Sequence, residues 1–302
     1  MSWGLAHEEA IVLAADAREE LEIDGFDRID VFEAIVASGL KLMFRPLKGV
    51  AGFYEPARGR ASAGVLVNAS HPLALQRYSA AHELGHHLFG HGRQVDRDGE
   101  PLRGRPTTTP EEQRAEAFAS WFLMPPETAH SALLRLGIEQ PATELDVYAL
   151  ALRLGVSFRA MCTHLPSLRL VNRRTAEAWS QLPLKSIKQR LTDEPPPGGW
   201  VNDVWQVTLG DVESMLYVRA GDSVWFDLPA AGVVEAPDGV GLEEVPASDL
   251  LGVPRLRAAV AVDCLPGPAH VVVEHDGREH RFALMVARPL RGRYFSRIAV
   301  TR

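Results

Sequence analysis

The sequence predicts an α+β fold, and three observations carry that reading. Helical periodicity interleaves with short strand-like runs as far as Leu165, a Pro/Gly run interrupts the chain at 193–199, and only short alternating apolar runs follow it. At 302 residues the chain is long enough for two domains with ordinary cores, and 46% hydrophobic against 24% charged content places it among globular, not disordered, proteins. The expected organisation is an α+β domain over 1–126, a helical subdomain over 127–192, a linker at 193–199 and a β-rich domain over 200–302.

Apolar residues Ala10, Ile11, Leu13, Ala14, Ala17 and Leu21 recur among charges and predict an amphipathic helix from Ala6 to Leu21, stopped at Asp24-Gly25. A short helix follows from Asp30 to Ser38, ended by Gly39. Strands are expected at Leu40–Leu47, Val50–Tyr54 and Ala63–Asn68. Ser70-His71-Pro72 reads as a helix start, with Ser70 or His71 at the cap and Pro72 at the first position, where its missing N–H costs nothing. That helix should reach Leu88 or Phe89 and end at Gly90. From Gly92 to Pro110 there is no apolar period, so this stretch is expected to be a long loop or a flap. Thr109-Pro110-Glu111-Glu112 then opens a helix with a cap, a proline at the first position and two carboxylates at the positive end, and Pro125-Pro126 stops it.

Further helices are expected at Glu127–Leu136, Thr143–Leu154 and Ser157–Leu165, and Val147 to Leu165 has a helix-turn-helix layout with Gly155 in the turn. From Arg153 to Arg190 there are eight Lys or Arg and one acid, Glu177, against a formal charge of −7 for the whole chain. A solvated basic face is the preferred reading of that segment over DNA contact, because the layout alone is a weak signal. Beyond the linker, strands are expected at Val201–Leu209, Ser214–Val218, Ser223–Leu228, Ala258–Val262, His270–Glu274, His280–Ala287 and Tyr294–Val300, with Trp200, Trp205 and Trp225 in their core. Two cysteines, Cys162 and Cys264, are too far apart for a paired-cysteine metal motif and read as small buried hydrophobes, the second in a strand. No apolar run is long enough for a membrane span and the first residues lack a signal-peptide layout, so a cytoplasmic protein without a membrane partner is expected.

Chemistry enters at Ala80-Ala81-His82-Glu83-Leu84-Gly85-His86-His87. Two histidines four positions apart on a helix return to within about 40° of one another, so both rings can point at one ion. Glu83 projects about 100° round the same helix and can reach a water on the metal instead of the metal itself. A hydrolytic zinc site takes three protein ligands and leaves the fourth position for water. Glu111, Glu112 and Glu116 are the candidates for the third, with small Ala115 and Ala119 letting their helix lie close to the histidines. Spacing alone does not separate Glu112 from Glu116. Tyr54, His71 and His91 are candidate donors to a transition-state oxyanion. His87, about 100° from His86, reads as a surface or packing residue.

Arg77-Tyr78-Ser79-Ala80-Ala81-His82-Glu83-Leu84-Gly85-His86, with Glu112-x-x-Ala115-x-x-Phe118-Ala119-x-x-Phe122-Leu123-Met124-Pro125, resembles the ImmA/IrrE family of bacterial zinc metallopeptidases. The resemblance covers roughly Val31 to Leu165 and implies a zincin-like peptidase domain binding one zinc ion. It also implies Glu112, thirteen positions before Pro125, as the third ligand, and Glu83 as the residue that activates water. The implied partner is a helix-turn-helix repressor that the enzyme cleaves, which would make it part of transcription regulation in a stress response, and some members carry a sensor-like C-terminal domain, a role the β-rich tail would match by sensing a ligand or stress signal and gating the peptidase. The competing reading is a DNA- or ligand-responsive transcriptional regulator in which the zinc site is structural or vestigial, resting on the basic segment.

Overall fold

The computed structural model describes residues 3–92, 94–97, 109–192, 194–212, 214–228, 232–246, 254–287 and 294–295, and they fall into two compact units. Among the described residues no helix is long and apolar enough to cross a membrane. The first unit comprises Met1–Ala129, Leu154–Ala160 and Leu290–Arg302, and the second His130–Arg153 and Met161–Pro289.

In the first unit, helix α1 (Trp3–Glu20) buries an alanine row, Ala6, Ala10, Ala14 and Ala17, at the period of one helix face. Helix α2 (Val31–Ala37) starts where the Asp30 carboxylate accepts from the amides of Phe32 and Glu33. Strands β1 (Lys41–Arg45), β2 (Val50–Glu55) and β3 (Gly64–Asn68) follow, and β3 lies between the other two, parallel to β1 and antiparallel to β2. Alternation along β1 buries Leu42 and Phe44, as a half-covered sheet requires.

The buried side chain of Asn68 fixes the exit from β3. Its amide donates to the carbonyls of Leu47 and Val50, and its Oδ1 accepts from the amides of Leu47 and Ser70. This turn takes the place of the expected cap. Helix α3 is Leu73–Leu88 with Pro72 one position before it, and neither Ser70 nor His71 caps the helix with its side chain. Ser70 is already engaged through its backbone in the turn that Asn68 makes.

Strand β4 (Gln94–Arg97) pairs antiparallel with β2, so part of the expected loop is a sheet edge. Four residues are too few to announce a strand by periodicity, and the open edge of β2 supplies the partner. The remainder of that loop, 98–108, lies outside the described residues. The strands at 50–55 and 64–68 are both interior; the sheet order is β13 (Tyr294–Phe295), β1, β3, β2, β4. Strand β13 (Tyr294–Phe295), expected in the β-rich region, pairs antiparallel with β1 instead, and 296–300 lie outside the described residues. Helix α4 (Pro110–Leu123) begins as the sequence indicates, with the Thr109 hydroxyl accepting from the Glu112 amide and Pro110 at the first position.

Helices α5 (Pro126–Arg135), α6 (Glu144–Leu154) and α7 (Phe158–His164) run across the division at 129/130, 153/154 and 160/161, while α8 (Arg173–Ser180) and α9 (Leu184–Lys188) lie in the second unit. Gly155, in the turn after α6, has φ +66° and requires glycine, as the helix-turn-helix layout anticipates. Helices α8 and α9 were not expected; they are short, although Asn172, which accepts from the Thr175 amide, is a readable cap.

Two four-stranded sheets complete this unit. One has the order β5 (Val204–Val207), β7 (Ser223–Phe226), β10 (Arg255–Val260) and β9 (Val240–Val245). The other has the order β6 (Met215–Leu216), β12 (Arg278–Val286), β11 (Gly267–His275) and β8 (Gly232–Glu235). Trp205, Val224, Phe226, Val271, Phe282 and Leu284 are among the residues of their shared core. Trp205 and Trp225 are buried as expected, and Trp200 is half-buried. Strands β8 and β9 were not read from the sequence, and Cys264 is buried in a turn, not in a strand.

Candidate metal centre

His82, Glu83 and His86 lie in the buried half of α3. The helical period divides their directions as the sequence reading requires, and each face meets a different element. The His82 and His86 rings stand 4.7 Å apart, edge to face, and turn toward α4. Glu83 turns toward β2, where a β-carbon at Gly52 would sit 3.1 Å from its Oε1. His87, four positions after Glu83, meets Tyr54, two positions after Gly52; the Tyr54 hydroxyl and His87 Nδ1 are 3.0 Å apart. A helix rises about 6 Å in four residues and a strand about 6.6 Å in two, so the two pairs stay in step.

Glu112 sits in the first turn of α4 and its carboxylate reaches both histidines. Oε2 lies 3.2 Å from His82 Nε2 and Oε1 3.5 Å from His86 Nε2, and the two Nε2 atoms are 3.0 Å apart. A tetrahedral zinc ion with bonds of about 2.0–2.1 Å would separate its ligand atoms by about 3.3–3.4 Å. The three observed edges bracket that value, so the donor set fits the ion. Among the described residues, His82, His86 and Glu112 are the group of His, Cys, Asp and Glu side chains close enough to share one metal.

Glu116, the alternative on spacing, lies one turn further along α4, where its carbonyl accepts from the Tyr78 hydroxyl at 3.3 Å and from Ser120 Oγ at 3.2 Å. Of the other candidates, His71 stays in the turn before α3, with Nε2 3.3 Å from Asn68 Nδ2. Tyr54 is engaged with His87. His91 is at the centre, but on the far side of the His86 ring from the cluster, with Nδ1 2.8 Å from His86 Nδ1.

The protonation states suit a metal. Burial pushes the His86 imidazole down to about 4, so it is neutral at pH 7 and can offer a lone pair. Burial works against the Glu112 carboxylate, yet its hydrogen bonds to His82 and His86 outweigh this and hold it well below the usual carboxylate range. An unfolded chain binds a proton at His86 near 6.5, so metal-free protein keeps this part of its stability above pH 6.5 and loses it as pH falls toward 4. Thermal melts in chelator are expected to give a lower Tm at pH 5 than at pH 7, with a smaller drop in His86→Asn; equal drops would contradict a buried neutral imidazole.

One contributor escaped the sequence reading. A β-carbon at Gly85 would lie 3.0 Å from Phe118 Cδ1 and 3.2 Å from the Cα of Ala115. Gly85, with buried Ala115 and Ala119, is what lets α4 approach closely enough for Glu112 to reach across. Its position between the two histidines was the available signal. Gly85→Ala gains about 1 kcal/mol in helix propensity but must displace α4 backbone. The expected result is a fold of near-parental Tm with zinc affinity several-fold weaker in a chelator competition; parental affinity would show that α4 has slack here.

Residues 37–165, from the end of α2 through α7, match the family model described as the IrrE N-terminal-like domain, a peptidase family. They form an ImmA/IrrE-family peptidase domain. No curated protein matches the chain. The match encloses α3 and α4, and with them every residue of the His-His-Glu cluster. Residues 37–165 therefore make up a metallopeptidase domain of the ImmA/IrrE type, a peptidase acts on a protein substrate, and the family together with the cluster points to a metal.

The basic segment that begins inside the matched domain offers less free charge than its composition suggests. Arg153 is buried against Asp211, Lys188 is buried with Nζ 3.0 Å from Asp203, and Arg190 pairs with Glu144. Three of the eight cations are thus committed within the second unit.

Proposed function

We propose that this chain is a zinc-dependent endopeptidase of the cytoplasm that holds one ion with His82, His86 and Glu112 and inactivates a repressor-type regulatory protein. The observation that carries the reading is the convergence of two Nε2 atoms and a carboxylate within 3.0–3.5 Å, with Glu83 on the adjoining face of the same helix. When bound, zinc supplies Lewis acidity toward a peptide carbonyl and lowers the pKa of water. Glu83 takes the proton of the attacking water on its carboxylate and delivers it to the departing amine. His86 and Glu112 keep their places because each is already in the protonation state a ligand needs. An extended substrate would add to the sheet at β4, whose far side carries no strand among the described residues, through main-chain hydrogen bonds. The helix-turn-helix character of the substrate rests on the family resemblance.

The test is incubation of the zinc-loaded protein with the helix-turn-helix repressors encoded alongside it, read by mass spectrometry of the fragments. One specific cut that disappears in chelator supports the proposal. Absence of cutting across that set with zinc bound at one equivalent would overturn the substrate. The competing regulator reading requires salt-sensitive DNA binding that weakens on Arg173→Gln with Arg174→Gln, and the burial of Arg153 and Lys188 counts against it.

A further inference from the structure

The C-terminal end of α3 is joined to the metal centre through one residue that the proposed chemistry does not use. Phe89 closes the helix and Gly90 follows with φ +68°. The Gly90 amide donates to the His87 carbonyl at 3.0 Å and the His91 amide to the His86 carbonyl at 2.9 Å. These two bonds are the paired closure of a Schellman motif, which needs a left-handed residue at Gly90 and turns the chain back over the last helical turn. The motif brings His91 over His86 itself, and their Nδ1 atoms come within 2.8 Å. The His91 ring is held in this pose by stacking on Phe89, 5.4 Å between centroids at 12°, and Phe89 in turn meets Phe118 of α4 edge-on.

The direction of that hydrogen bond follows from the other side of the ring. His86 Nε2 faces His82 and Glu112, so a ring serving as a ligand must keep its lone pair there and carry its proton on Nδ1. That Nδ1–H donates to His91 Nδ1, which must then be the unprotonated nitrogen of its own ring. Second-shell acceptors of this kind fix the tautomer and orientation of a ligating histidine, and the usual ones are carboxylates, carbonyls and water.

We propose that His91 is a positioning residue of the metal centre, presented by the Gly90 helix stop and accepting the Nδ1–H of His86 so that His86 Nε2 is held toward the ion. The inference rests on the reading of His82, His86 and Glu112 as ligands. It differs from the sequence reading of His91 as one of three candidate oxyanion donors.

The experiment compares the parent with His91→Phe and His91→Asn, each full length, by zinc competition against a chromophoric chelator. Circular dichroism and the Tm of the metal-free form serve as controls. Phe keeps the stack on Phe89 but offers no acceptor, and zinc affinity is expected to fall about 10- to 100-fold. Asn places its Oδ1 near the position of the lost Nδ1 and is expected to recover affinity to within about threefold of the parent. Parental affinity in His91→Phe, or an equal loss in both variants with Tm unchanged, would overturn the role of His91 while leaving the ligand set standing. If the parent itself binds no zinc, the ligand assignment fails and this inference with it.

Discussion

Glu83→Gln is expected to cut substrate cleavage by about 10²–10⁴-fold while zinc stays bound at the parental level. Glutamine keeps the size of the side chain, so it fits the same space beside Gly52, where a β-carbon would already press on Oε1 at 3.1 Å. What it loses is the ability to take a proton. The three proposed ligand atoms belong to His82, His86 and Glu112, and Glu83 is not among them. A split between intact metal content and absent turnover is therefore the signature of a proton-transfer role. Retained cleavage in Glu83→Gln, measured on fragment yield with zinc content verified, would contradict the mechanism.

The largest expected loss of stability comes from the second unit. Arg153 makes a two-pronged contact with Asp211, Nε to Oδ1 at 3.0 Å and Nη2 to Oδ2 at 2.6 Å, with both side chains buried. Nη2 also donates to the Gln206 carbonyl, and Asp211 accepts from the Thr208 amide in a capping box. Asp211→Ala would leave a guanidinium buried without its counter-charge and open the turn at 209–211. Removal of one partner of such a pair costs about 3–5 kcal/mol. Arg153→Met combined with Asp211→Ala should recover a large part of that loss, since no lone charge remains. Denaturant melts of the two proteins make the comparison, and a single variant as stable as the parent would show that water reaches the pair.

The parts of this site that were legible in the sequence are those set by one helix. His82, Glu83 and His86 follow from the period of α3, and Gly90 marks its end. Glu112 against Glu116 was not separable on spacing, because the choice depends on how α4 is rolled against α3. That roll is fixed by the contact of Gly85 with Ala115 and Phe118, a tertiary fact. The fold-back of His91 onto His86 is likewise invisible until the helix stop is seen to close as a Schellman turn. Strand β4 escaped notice because its four residues become a strand through the edge of β2; the strand at residue 294 was legible, but its partner was not, because nothing local says that it pairs with β1, some 250 positions earlier in the chain. Asn68, read as the last residue of a strand, proved to be the knot that sets where α3 begins.

The most direct test of the central claim is X-ray absorption at the zinc edge on protein loaded with one equivalent of the metal. A shell of nitrogen and oxygen at about 2.0–2.1 Å, with multiple scattering from two imidazoles, is the expected result, and it should drop to one imidazole in His86→Ala. A sulfur shell near about 2.3 Å, or two imidazoles persisting in His86→Ala, would contradict a centre built from His82, His86 and Glu112.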